Sequence, residues 1–181
     1  MPDLPFSAQN ELESRILADP EFLAGLDHGQ PRPGHPEGAV KWHIADVLGN
    51  VEQWYCQMDL YSQLRLIALI HDTFKYQVDS ARPKTGTNHH GHYARRFAEK
   101  YISDEPILEV IELHDEAYNA WQKGARDHQW TKAETRIKRL LERLGTAVPL
   151  YSAFFRYDNA TGDKTPEPVK WFQKMLEKGI E

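Results

Sequence analysis

Apolar residues recur at three- and four-residue intervals along most of the chain, the spacing of helices with one buried face. Leu12, Ile16 and Leu17 predict a helix over Asn10–Ala18, broken by Asp19-Pro20. Phe22, Leu23 and Leu26 predict a further short turn. The stretch Gly29–Gly38 holds three Pro and three Gly and reads as a loop. A long helix follows over Ala39–Gln57, with Val40, Ile44, Val47, Leu48, Val51 and Trp54 on one side. The next, Leu60–Phe74, is so dense in Leu and Ile that burial nearly all round is expected.

Asp79–Asn88 turns polar around Pro83 and Gly86, which predicts an irregular connection. Helical spacing resumes over Gly91–Tyr101 and again over Glu105–Trp121, where Ser103–Pro106 supplies a start signal. Thr131–Leu144 is amphipathic and ends at Gly145. A short aromatic segment spans Pro149–Tyr157, and Thr165-Pro166-Glu167-Pro168 opens a last helix through Leu176. No strand-like alternation or internal repeat interrupts this series. The expectation is an all-α, single-domain helical bundle.

Composition narrows the class. A chain of 181 residues suits one domain with one core. It has no run of about 18 apolar residues, so no membrane span is expected. Met1-Pro2-Asp3-Leu4-Pro5 lacks the basic-then-apolar order of a secretory signal, and the single Cys56 has no internal disulfide partner. Both point to the cytoplasm. The net charge of −5 argues against a general polyanion binder. One count stands apart: of nine His, six fall between His43 and His114.

Four stretches concentrate metal-ligand chemistry: Trp42-His43-Ile44, His71-Asp72, Asn88-His89-His90-Gly91-His92 and His114-Asp115. Imidazole and carboxylate are ligands for Zn, Mn and Fe. His71-Asp72 follows a buried run, where an unpaired carboxylate is costly and a cation offsets that cost. Adjacent helical residues point about 100° apart, so one site captures both only near a helix end or across a crevice. His28 and His128 lack such context and read as solvated, and His35 as a loop marker. No CxxC pair, GxGxxG turn, Walker loop or GxSxG elbow competes.

Leu69-Ile70-His71-Asp72-Thr73-Phe74-Lys75 resembles the signature of the HD superfamily of metal-dependent phosphohydrolases, with Phe74 where the family has Gly. His35–His43 is similar to the segment supplying the first His in the HD domains of bacterial tRNA nucleotidyltransferases, and His90, Ala94 and Ala98 to their intermediate His and its helix. Phe155–Asp163 looks like the closing segment that carries the distal Asp. The resemblance covers residues 35–163, leaving 1–34 as a helical extension and 164–181 as a helix packing on the same domain.

That resemblance implies a divalent ion on His43, His71, Asp72 and Asp158, with Asp115 the other candidate for the distal ligand. Asp72 and Lys75 would serve the chemistry. His89, His90, His92, His114 and Asp115 would supply a second metal or phosphate contact. Arg95 and Arg96 are further phosphate candidates. Mn, Fe, Mg, Zn, Co and Ni are not distinguished. The implied activity is hydrolysis of a phosphomonoester or phosphodiester in a nucleotide or other small phosphorylated metabolite, with no membrane or nucleic-acid partner and a homodimer left open. An HD-type di-iron oxygenase is the first alternative. A non-catalytic signalling or RNA-associated module is the second, because residues 123–143 carry seven Lys or Arg against three Asp or Glu.

Overall fold

Local capping sets where the first helices begin. In α1 (Glu11–Leu17) the Asn10 side chain accepts the Glu13 N–H, and in α2 (Pro20–Gly25) Asp19 accepts the Glu21 N–H. The computed structural model describes residues 3–53 and 58–179, so Trp54, Cys56 and the predicted helix end at Gln57 lie outside the described residues. Within that range follow α3 (Val40–Gln53), α4 (Met58–Ile70), α5 (His90–Ala98), α6 (Glu105–Leu113), α7 (Glu116–Ala125), α8 (Trp130–Leu144), α9 (Val148–Asn159) and α10 (Glu167–Glu177). Among the described residues there is no β-strand, only an isolated bridge between Arg32 and His35 within the Pro/Gly loop. The fold is all-α.

The apolar run of α4 makes it the central helix, packed against α3, α6 and α9. Ile67, Ala68, Leu69 and Ile70 are wholly buried there. The core is continuous from Ile16 of α1 to Phe172 and Met175 of α10, so both chain ends contribute to it. The N-terminal helices are also tied by charge: the buried Arg65 guanidinium of α4 donates to both oxygens of buried Glu13, at 3.0 and 2.9 Å. No helix of the described residues is long and apolar enough to cross a membrane.

Two helices depart from the sequence pattern, both at His-Asp doublets. The helix expected over Leu60–Phe74 ends at Ile70, and the chain tightens into a 3₁₀ turn over Thr73–Gln77. Packing forces this end. A Cβ on Gly25 of α2 would stand 1.8 Å from the Thr73 carbonyl oxygen, and Phe74 turns into the core against Phe97, ring centroids 4.7 Å apart. The single helix expected over Glu105–Trp121 is two helices, α6 and α7, broken at His114-Asp115. The Tyr151 hydroxyl of α9 occupies that break. It accepts the Ala117 N–H at 3.0 Å and lies 3.1 Å from the His114 carbonyl oxygen, to which it can donate.

Candidate metal centre

Both breaks turn a doublet toward the same point. His71 and Asp72 leave the end of α4, His114 and Asp115 leave the end of α6, His43 comes from the first turns of α3, His90 from the start of α5 and Asp158 from the end of α9. The helices are thus arranged so that five of their ends converge beside one cleft of about 860 Å³, which Asp72, His90, Asp115 and Asp158 line.

Two clusters of ligand atoms lie there, one beside each carboxylate oxygen of Asp72. In the first, His43 Nε2 is 3.0 Å from Asp158 Oδ1 and 3.3 Å from His71 Nε2. Asp72 Oδ2 lies 3.5 Å from His43 Nε2 and 3.6 Å from His71 Nε2. In the second, His90 Nε2 and His114 Nε2 are 3.0 Å apart and stand 3.2 and 3.3 Å from Asp72 Oδ1. Asp115 closes that cluster, with Oδ2 at 3.3 Å from His90 Nε2 and 3.7 Å from His89 Nε2.

Ligand atoms about 2.0–2.2 Å from a shared ion stand roughly 2.8–3.6 Å from their neighbours. Most of the observed spacings fall in that range; His71 Nε2 to Asp158 Oδ1, at 4.0 Å, and His89 Nε2 to Asp115 Oδ2, at 3.7 Å, lie beyond it. Asp72 Oδ1 adds a second sign: it is buried and has no aligned hydrogen-bond donor, although two imidazole nitrogens flank it. The imidazole pairs can hydrogen-bond to each other through Nε2, but a buried carboxylate oxygen left without an aligned donor among them suits a shared cation. Buried groups His43–His71–Asp158 and Asp72–His90–His114 could each hold a metal ion.

The outer nitrogens fix the ring orientations. His71 Nδ1 is 3.0 Å from the Ala68 carbonyl and His114 Nδ1 is 2.8 Å from that of Ile111. With those nitrogens donating, each ring in its neutral form presents an Nε2 lone pair inward. His43 Nδ1 stands 3.1 Å from Glu37 Oε1, which also hydrogen-bonds His35 Nδ1 at 2.9 Å. Lysines back the carboxylates. Lys75 Nζ donates to Asp72 Oδ2, and Lys164 Nζ donates to Asp158 Oδ1 at 3.1 Å and to its carbonyl oxygen at 3.0 Å.

Protonation follows from these neighbours. Burial among other imidazoles pushes His71 down to about 3, so it stays neutral. Burial alone would also lower His114, but the Asp115 and Asp72 carboxylates overcome it and raise it to about 9. His43 is raised in the same way, burial being outweighed by Asp158 and Glu37. Burial works against ionised Asp72 and Asp158. The cations Lys75 and Lys164, together with the imidazoles, nevertheless hold both carboxyls well below the usual range. Glu37 is drawn to about 2, since the His43 and His35 donors outweigh its burial.

Of the residues singled out from sequence, the structure brings together His43, His71, Asp72 and Asp158, and beside them His90, His114 and Asp115. His89 is mainly the cap of α5, its Nδ1 accepting the Gly91 N–H at 3.1 Å, with Nε2 toward Asp115. His92 stands apart on the cleft wall, 3.9 Å from Glu112 Oε1. Arg95 and Arg96 do not reach the cleft. Arg95 is gripped by Glu99, Glu105 and Glu109, and Arg96 pairs with Glu99. In the basic stretch of α8, Arg136 grips Glu116 with two nitrogens and Arg143 pairs with Glu109 and Glu112. Glu37 and Lys164 were missed from sequence. His35, read there as a loop marker, lines the cleft.

Compared with protein-family models, with curated proteins and with solved structures, the chain matches none.

Proposed function

We propose that the chain is a metal-dependent phosphohydrolase of the HD type, cleaving a phosphoester in a nucleotide or another small phosphorylated metabolite. The observation that carries this reading is Asp72, whose two oxygens each face a cluster of imidazole and carboxylate beside a charged cleft. Arg32, Lys75, Lys84, Arg136, Arg143 and Lys164 line that cleft among the carboxylates Asp72, Glu112, Asp115, Glu116 and Asp158. With metal ions offsetting the carboxylates, these cations favour an anionic substrate over a neutral one.

A bound divalent ion supplies an acidified water and a polarised phosphoryl oxygen. The chain's own groups do the rest. Asp72 turns both oxygens to ligand clusters, so it holds the site together rather than taking a proton. Asp115, about one-third exposed at 33% and open to the cleft, is the carboxylate placed to accept the proton of the attacking water. The water oxygen bonds phosphorus as the ester P–O bond breaks, and the leaving oxygen takes a proton from solvent. Lys75 and Lys164 steady the phosphate oxygens as point charges.

A second reading, a di-iron oxygenase, is favoured by the second cluster, which makes six or more ligands around Asp72. One experiment separates the two. Purified protein is stripped with chelator, reloaded with each divalent metal, and screened on phosphomonoesters and phosphodiesters. Colourless protein that hydrolyses phosphoester with Mg or Mn supports the hydrolase. Oxygen consumption by iron-loaded protein with no hydrolysis under any metal supports the oxygenase, and metal content of zero after every reload rejects both.

A further inference from the structure

Glu37 belongs to no ligand cluster around Asp72, yet it is among the most confined carboxylates near the cleft. Its side chain is only 8% exposed, and Oε1 is shared between His35 Nδ1 at 2.9 Å and His43 Nδ1 at 3.1 Å. Its other oxygen, Oε2, is buried with no hydrogen-bond partner, as is His43 Nδ1 in terms of alignment. A carboxylate left in that condition is costly, and the two ring nitrogens at Oε1 are the groups placed to offset it.

The surroundings hold Glu37 where it is. The loop 29–38 that carries it is tied to the loop after α9, because the Gly34 N–H donates to Asp163 Oδ1 at 2.6 Å. Gly162, at φ +60, lies so close that a Cβ there would stand 2.9 Å from Pro36 Cδ and 3.3 Å from Glu37 Oε2. The same second loop brings Lys164 onto Asp158. His43 and Asp158, the two first-cluster ligands outside the His71-Asp72 doublet, are therefore each oriented from one pair of clasped loops.

We propose that Glu37 is a positioning residue of the metal centre, which aims His43 Nε2 at the ion shared with His71 and Asp158 by fixing the opposite ring nitrogen. This rests on the metal reading of the site. A carboxylate behind a ligating imidazole orients the ring and raises its basicity, and its loss typically weakens metal binding by about 10–100-fold. His35, on the far side of Glu37, steadies the carboxylate.

The test is Mn(II) binding to the chelator-stripped full chain, measured by calorimetry with electron paramagnetic resonance, on wild type, Glu37→Gln, Glu37→Ala and His35→Ala. Thermal melting of the stripped proteins runs alongside. Glu37→Gln keeps the volume and removes the charge. It should weaken one of two Mn(II) sites by about tenfold or more and leave the other within about twofold, whatever the melting temperature of the stripped protein does; Glu37→Ala should weaken the same site further. His35→Ala should cost no more than Glu37→Gln. Two undisturbed sites in Glu37→Gln would overturn the proposal, as would parallel weakening of both sites with a lowered melting temperature. A wild type that binds no Mn(II) would instead overturn the metal reading itself.

Discussion

The two clusters around Asp72 use the same residue types and are held in different ways. The first is the more enclosed: His43 and His71 are buried, their outer nitrogens face Glu37 and the Ala68 carbonyl, and of the three Asp158 alone, gripped by Lys164, lines the cleft. The second opens on the cleft, where Asp115, His90 and His89 line the wall and Asp115 is partly exposed. Enclosure on one side and access on the other suit a division between holding an ion and presenting substrate and water to it. Surroundings, rather than ligand identity, make that difference.

Asp72 is common to both clusters, so its loss should erase the contrast. Asp72→Asn should lose both metal positions and lower phosphoester hydrolysis by about 10³-fold or more, on the order of 4 kcal/mol of barrier. Elemental analysis beside a rate assay checks this, and full metal content with full activity would refute the site. Separating the halves gives the next effect. His43→Ala and His114→Ala should each retain one ion of two, with His43→Ala losing the more tightly held one, as read from stoichiometry during graded chelation.

Acidity should sharpen the comparison further. His114, raised to about 9, carries a proton at neutral pH that an incoming ion must displace. Affinity at the second position should therefore rise with pH until about 9 and fall by up to about tenfold per unit below it. At the first position His71, lowered to about 3, is already neutral and adds no slope, whereas His43, raised by Asp158 and Glu37, gives up a proton of its own. Calorimetry in buffers of different ionisation enthalpy would reveal the released proton; heats independent of buffer would count against it. The smallest effect belongs to Lys75→Gln, which should raise KM about tenfold with both metals kept. A change in kcat alone would assign Lys75 a different part.

Most helices were legible because burial leaves a periodic trace in sequence. α8, for example, reads directly from Ile137, Leu140, Leu141 and Leu144, all of them buried. The break between α6 and α7 was not legible. Apolar spacing runs on from Ile111 to Ala117 and Ala120, and the break is stabilised by the hydroxyl of Tyr151, more than thirty residues away. The early end of α4 has the same kind of cause, a backbone approach from Gly25. Histidines and the His-Asp doublets signalled ligand chemistry from their density alone. Glu37 and Lys164 carried no such signal: one sits in a Pro/Gly loop and the other in a polar tail, and only the clasp between those loops gives them meaning.

Helix direction adds a last difference between the clusters. Asp72 and Asp158 stand at the C-terminal ends of α4 and α9, where unpaired carbonyls concentrate negative partial charge. Asp115 sits instead at the N-terminal boundary of α7, where exposed N–H groups welcome a carboxylate. Helix dipoles thus set Asp158 and the shared Asp72 against their own backbone, by about 0.3–1 kcal/mol each, and leave Asp115 at ease. Helix direction therefore adds a demand for positive charge at Asp158 and Asp72 that Asp115 does not share.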